Sequence, residues 1–169
     1  VKYEKARSKM RAGDLLAWTH RKWGSWYDFQ VQMVRMFTRS EYSHVGIAWP
    51  VGGRLFVLEA VSAGVRIFPL SRCVPFYWMP LEMRWTGDME KRALEQVGAP
   101  YSKIRAVMAY FNLIKIGGGK YWECAEYVIH VLQLKRTLAT PTAVVAKALD
   151  MGGSLNWIGN DGLGIHKPR

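Results

Sequence analysis

The chain has 169 residues, an apolar fraction of 50% and a formal net charge of +11. That length fits one domain with a sizeable core better than two small ones, and the composition excludes a disordered chain. Its two cysteines, Cys73 and Cys124, exclude a disulfide-dense scaffold, and no apolar run approaches the roughly eighteen residues of a membrane-spanning helix.

Residues 1–11 read as a polar N-terminal extension without the apolar stretch of a secretion signal. A first strand is expected over Asp14–Trp18, after a turn at Gly13. Ser25 and Asp28 have N-cap spacing, and Trp26, Phe29, Met33, Met36 and Phe37 follow at helical intervals, predicting a helix over about 26–38. Ser43–Trp49 is a strand candidate ended by Pro50 and the Gly52-Gly53 turn. Arg54–Val61 is the next, so the two predict an antiparallel hairpin. Gly64–Leu70 and Val74–Met83 continue the β pattern, with Pro69, Pro75 and Pro80 marking bends or edges.

The period then changes. Thr86 caps a predicted helix with Met89, Ala93, Leu94 and Val97 on one stripe, closed by Gly98 and Pro100. Ser102 caps another, with Ile104, Val107, Met108 and Phe111 on one face. Gly117–Gly119 lacks the Lys-Ser/Thr ending of a phosphate loop and reads as a turn. A helix is expected over Glu123–Leu134, and Thr140 with Pro141 opens the last one. Residues 152–169 form a glycine-rich tail without periodicity, expected to be coil. A β-rich half followed by an α-rich half predicts an α+β domain, an antiparallel sheet packed against helices, over residues 12–151.

Three residues stand out chemically. Glu59 lies in a strand whose two faces, Leu55/Val57/Val61 and Phe56/Leu58/Ala60, are both apolar, so its carboxylate needs a partner unless it reaches solvent at the strand end. His44 shares a strand face with the small residues Gly46 and Ala48, which leave room for a substrate or a second element. Across a hairpin, Glu59 would fix the tautomer of His44 and support its imidazolium. Cys124 stands at a predicted helix start, where unpaired amides favour a thiolate; a buried helical cysteine is otherwise a small hydrophobe. Together they fit nucleophile, base and orienter. They fit a metal site poorly, because no further Cys or His lies at ligand spacing. His130 is turned roughly 120° from Cys124 around its helix. Cys73 has no obvious partner and reads as structural.

These residues carry a resemblance. Gly13-Asp14-Leu15-Leu16, Ser43-His44-Val45-Gly46-Ile47, Leu58-Glu59-Ala60 with Gly64-Val65, Gly98-Ala99-Pro100-Tyr101, Cys124-Ala125-Glu126-Tyr127 and Thr140-Pro141 follow one another in order. The set resembles the circularly permuted NlpC/P60 group of the papain-like superfamily, especially its YiiX-like branch and, more distantly, lecithin:retinol acyltransferase-like enzymes. Ser102 stands where the family usually has Asp, and Ala125 and Tyr127 where it has Ser and Leu. The resemblance implies a permuted papain-like fold and a thiol-dependent hydrolase of a peptide-like amide, with peptidoglycan stem peptides among the candidate substrates. Cys124 would be the nucleophile, His44 the base and Glu59 its orienter, with no metal or organic cofactor.

Two other readings stand beside it: a lipid or N-acyl hydrolase or acyltransferase at a membrane surface, and a non-catalytic structural or binding module. The charge favours an anionic partner such as cell-wall polymer or a membrane surface. Nucleic acid is not favoured, because the cations are dispersed and no reading motif appears. The expected protein is soluble or peripheral, with cell-envelope association compatible with its charge.

Overall fold

The computed structural model describes residues 1–19, 41–100 and 122–159. The helices expected over 26–38 and after Ser102, the Gly117–Gly119 turn and the tail from 160 onward lie outside the described residues, as do His20 and His166.

Six strands form one antiparallel sheet: β1 (Leu15–Trp18), β2 (His44–Val51), β3 (Arg54–Val61), β4 (Gly64–Pro69), β5 (Phe76–Met79) and β6 (Asn156–Ile158), in the spatial order β4-β3-β2-β1-β5-β6. Among the described residues the α-helices are α1 (Tyr3–Ala6), α2 (Gly87–Glu95), α3 (Cys124–Leu132) and α4 (Pro141–Asp150). The expected α+β architecture of an antiparallel sheet against helices is therefore what the chain adopts.

Alternation of side chains assigns each face of the sheet its own core. One face presents Leu15, Ala17, Val45, Ile47, Leu58 and Ala60 to the helices. Helix α3 lies over β2 and β3, flanked by α2 and α4. The other face presents Leu16, Ala48, Leu55, Val57 and Phe76 to Tyr3, Ala6 and Met10 of the N-terminal segment. The extension that reads as polar thus buries three apolar side chains on the sheet.

The β2–β3 hairpin forms as expected, turning through Gly52 (φ 57°) and Gly53 (φ 74°), a pair of left-handed positions that glycine tolerates. Strand β2 does not stop at Pro50, which pairs with Leu55 and lets the ladder run on to Val51. The strand expected over Val74–Met83 shortens to Phe76–Met79, bounded by Pro75 and Pro80. The tail contributes β6, which pairs with β5. A three-residue strand is too short to show a period, so its formation depends on the edge it finds.

Helix caps follow the sequence. The hydroxyls of Thr86 and Thr140 accept the N–H groups of Met89 and Ala143, each at 3.3 Å. The α2 stripe is narrower than expected: Ala93 is buried, but Leu94 is exposed, and Val97 is exposed beyond the helix end. The outer edge at β4 is closed locally, with Val65 N–H donating to Ala99 O and Val65 O accepting from Gly98. A Cβ on Gly64 would come within 2.7 Å of that Ala99 oxygen, so only glycine fits there.

Asp14 pins the entry to β1. Its Oδ2 accepts the N–H of Arg11 (2.9 Å) and the indole N–H of Trp78 (2.8 Å), and its Oδ1 accepts the N–H of Leu81 (3.2 Å). Asp14→Ala would leave buried donors of Trp78 and Leu81 unsatisfied. We expect a loss of about 2–4 kcal/mol of stability, read as a lower urea midpoint at unchanged slope. A change below about 0.5 kcal/mol would show that these bonds are replaceable by solvent.

Candidate functional site

A charged chain of three side chains crosses β2, β3 and β4. His44 opens β2 and sends Nε2 to Glu59 Oε2 at 2.6 Å. Arg66 on β4 sits opposite Glu59 in register and donates Nε (2.8 Å) and Nη2 (2.7 Å) to Glu59 Oε1. Glu59 is 4% exposed, His44 23% and Arg66 41%. Burial pushes the Glu59 carboxyl upward. The hydrogen bonds and charges of His44 and Arg66 outweigh that and hold it below the ordinary range. Both carboxylate oxygens are thus occupied, and Glu59 is a paired charge inside the sheet, not a strand end reaching solvent.

Aromatic rings frame this chain. The Trp18 ring lies 5.2 Å from that of His44, and the Arg66 guanidinium stacks 4.2 Å over Phe68. Trp18 is itself fixed, its indole N–H donating to Cys73 O at 2.7 Å. The space beside Gly46 is taken by a second element: a Cβ there would meet Val57 Cγ2 at 2.7 Å and Glu59 Cβ at 3.4 Å.

Cys124 begins α3, as its expected place at a helix start requires, but its surroundings oppose a thiolate. Its sulfur lies 3.8 Å from Glu123 Oε2. Burial drives its pKa well up, the Glu123 carboxyl adds to that, and the N–H groups of Val45 and Ala125 only partly oppose it. A helix N-terminus contributes about 0.3–1 kcal/mol. Full burial shifts a group by up to about 3–5 pKa units, at about 1.4 kcal/mol each, so desolvation wins. Cys124 packs with the helical layer, whereas alternation places His44 and Glu59 with the other face of the sheet. Contact with the active pair would run through the strand start, where the Val45 backbone meets the sulfur. His44 bonds to Glu59, while the Cys124 sulfur meets the Glu123 carboxyl and the N–H groups of Val45 and Ala125.

Three residues of this region escape a reading by residue type. Arg66 was legible in principle, since a two-residue turn at Ser62-Ala63 places it opposite Glu59. Trp18 is paired with His44 across β1 and β2, a register set by tertiary contacts. Glu123, buried, caps α3 by accepting Glu126 N–H at 2.9 Å, a place more usual for Asp or Ser. Burial raises its carboxyl to about 8.

With this geometry in view, the class is an α+β protein whose antiparallel sheet carries a His–Glu–Arg chain centred on a buried glutamate. No family model matches the sequence, and no curated protein does. A solved structure does match in fold: metalloprotein YiiX from Escherichia coli O157:H7, a DUF1105 protein, at a TM-score of 0.55 and 21% identity. The match covers 73% of this chain and 65% of that protein, so the chain spans less than two thirds of its relative. This shows a distant fold relationship to the YiiX-like group and does not single out a papain-like NlpC/P60 assignment. It also corrects the functional expectation. The relative is a metalloprotein, in conflict with a cysteine-dependent hydrolase or thiol protease acting through an acyl-cysteine. The burial of Cys124, which pushes its pKa up, is the physical counterpart of that correction. No helix among the described residues is long and apolar enough to cross a membrane.

Two expectations follow from the thiol and its neighbour. At about pH 7.5 iodoacetamide should alkylate Cys124 more slowly than a free thiol of pKa about 8.5 and no faster than Cys73, whose own pKa burial lifts to about 12. A Cys124 rate above that of a free thiol, measured by mass spectrometry, would restore an activated nucleophile. For Glu123, the folded-state pKa of about 8 lies above the unfolded value near 4.3, so the folded state binds the extra proton. Stability should therefore fall as pH rises through that window. Glu123→Gln, which keeps the capping oxygen, should flatten this slope in urea titrations at about pH 5 and pH 8; an unchanged slope would assign it elsewhere.

Proposed function

We propose that the chain binds a divalent transition metal at His44, in an open site whose outer shell is Glu59. The observation that carries this reading is the 2.6 Å bond between His44 Nε2 and a carboxylate that Arg66 already holds. With Nε2–H donated to Glu59, the lone pair of a neutral His44 is on Nδ1. A metal-binding histidine characteristically hands its other N–H to a carboxylate in this way. Glu59 itself is ill suited as a direct ligand, because both of its oxygens are taken.

The fit to a metal is partial. Among the described residues, no group of three or more His, Cys, Asp or Glu side chains stands close enough to close a coordination shell. His44 would be the donor that the described residues supply, with the remaining positions open to solvent or ligand oxygen. When bound, such an ion supplies Lewis acidity toward an oxygen ligand. The name of the YiiX relative supports the metal, and the order of the sequence blocks supports a permuted NlpC/P60-like ancestry for the fold. The charge of +11 supports a negatively charged partner.

Calorimetry with Zn²⁺ should give one site, lost in His44→Ala and weakened about 10–100-fold in Glu59→Gln. With Co²⁺, absorption without a sulfur-to-metal charge-transfer band is expected; a band lost in Cys124→Ser would show that the buried thiol reaches the ion. Equal uptake by wild type and His44→Ala would overturn the site.

A further inference from the structure

The chain His44–Glu59–Arg66 has an outer member whose role the metal reading leaves open. Arg66 donates twice to one oxygen of Glu59, while the other oxygen is given wholly to His44. Its guanidinium is braced over Phe68, and β4 fixes its backbone opposite Glu59. A carboxylate that is 4% exposed has little water with which to replace these donors. Without them, nothing described holds Oε1 in place, and the carboxylate is free to turn away from the ring.

We propose that Arg66 is a positioning residue, which by clamping Glu59 keeps the proton of neutral His44 on Nε2 and the lone pair on Nδ1. The two ring nitrogens of an imidazole are close in intrinsic basicity, so the tautomer is set by what each one faces. Trp18 supplies a ring face and no fixed acceptor to the imidazole, since its indole N–H is spent on Cys73 O. Glu59 is therefore the group that selects the tautomer, and Arg66 is what makes Glu59 a fixed acceptor. The consequence for metal binding rests on the reading of His44 as a ligand; the tautomer assignment does not.

The test is the ¹⁵N spectrum of the neutral His44 side chain in wild type, Arg66→Gln, Arg66→Met and Arg66→Lys. Wild type should show one tautomer, protonated at Nε2. Arg66→Gln and Arg66→Met should show signals averaged toward a mixture. Arg66→Lys, which keeps a charged donor, should restore most of the wild-type pattern. Amide spectra check folding, and Arg66→Met decides the question if Arg66→Gln does not fold. Zn²⁺ affinity should drop about tenfold in the two uncharged variants. A pure Nε2–H tautomer in both of them would overturn the proposal. Absence of Zn²⁺ binding by wild type, with the tautomer shift intact, would instead remove only the metal reading.

Discussion

A carboxylate sunk into the middle of an apolar sheet is the constraint on which the rest of this site depends. Glu59 stands between β2 and β4 on a strand whose neighbours are Val57, Leu58 and Ala60, all buried. An isolated ion there would shed its charge, since an unpaired buried carboxylate costs several kcal/mol or neutralises. Flanking strands answer it from both sides, His44 on β2 and Arg66 on β4. The register that aligns Glu59 with Arg66 is therefore electrostatic as well as apolar: a slip of one residue would turn the carboxylate into the other core and strand the guanidinium.

The opposite situation holds a few residues away, at the start of α3. Glu123 and Cys124 are buried side by side with no cation among the described residues against either, and burial pushes both pKa values up. Glu123 serves the backbone, capping the helix through Glu126 N–H. The same burial that makes α3 a good wall for the sheet pushes the pKa of its first thiol up. Local position at a helix N-terminus and global burial act in opposite directions on this sulfur, and the larger effect is burial.

Chemical polarity is thus divided between the two cores. The face under the helices holds Glu123 and Cys124, whose pKa values burial pushes up, and the face under the N-terminal segment holds the charged chain around Glu59. Among the described residues the latter reaches solvent, through the partly exposed His44 and Arg66. A ligand approaching from water meets an imidazole fixed by a buried carboxylate before it meets a thiol. That ordering is why the metal reading is centred on histidine.

Much of this was written in the chain. Alternation set β1 to β4 to within a residue or two, threonine spacing set two helix starts, and the apolar strand around Glu59 announced that its carboxylate would need a partner and that His44 could be it. What alternation cannot convey is depth. Cys124 has the same residue type, the same helix-start position and the same flanking acids whether it lies open or sealed, and only the packing of α3 on β2 and β3 decided that it is sealed. Likewise β6 exists because β5 offers it an edge, and Trp18 faces His44 because β1 threads between β2 and β5. Sequence periodicity records which side of an element is apolar; desolvation and non-local pairing depend on what covers that side, and this is fixed only when the chain closes on itself.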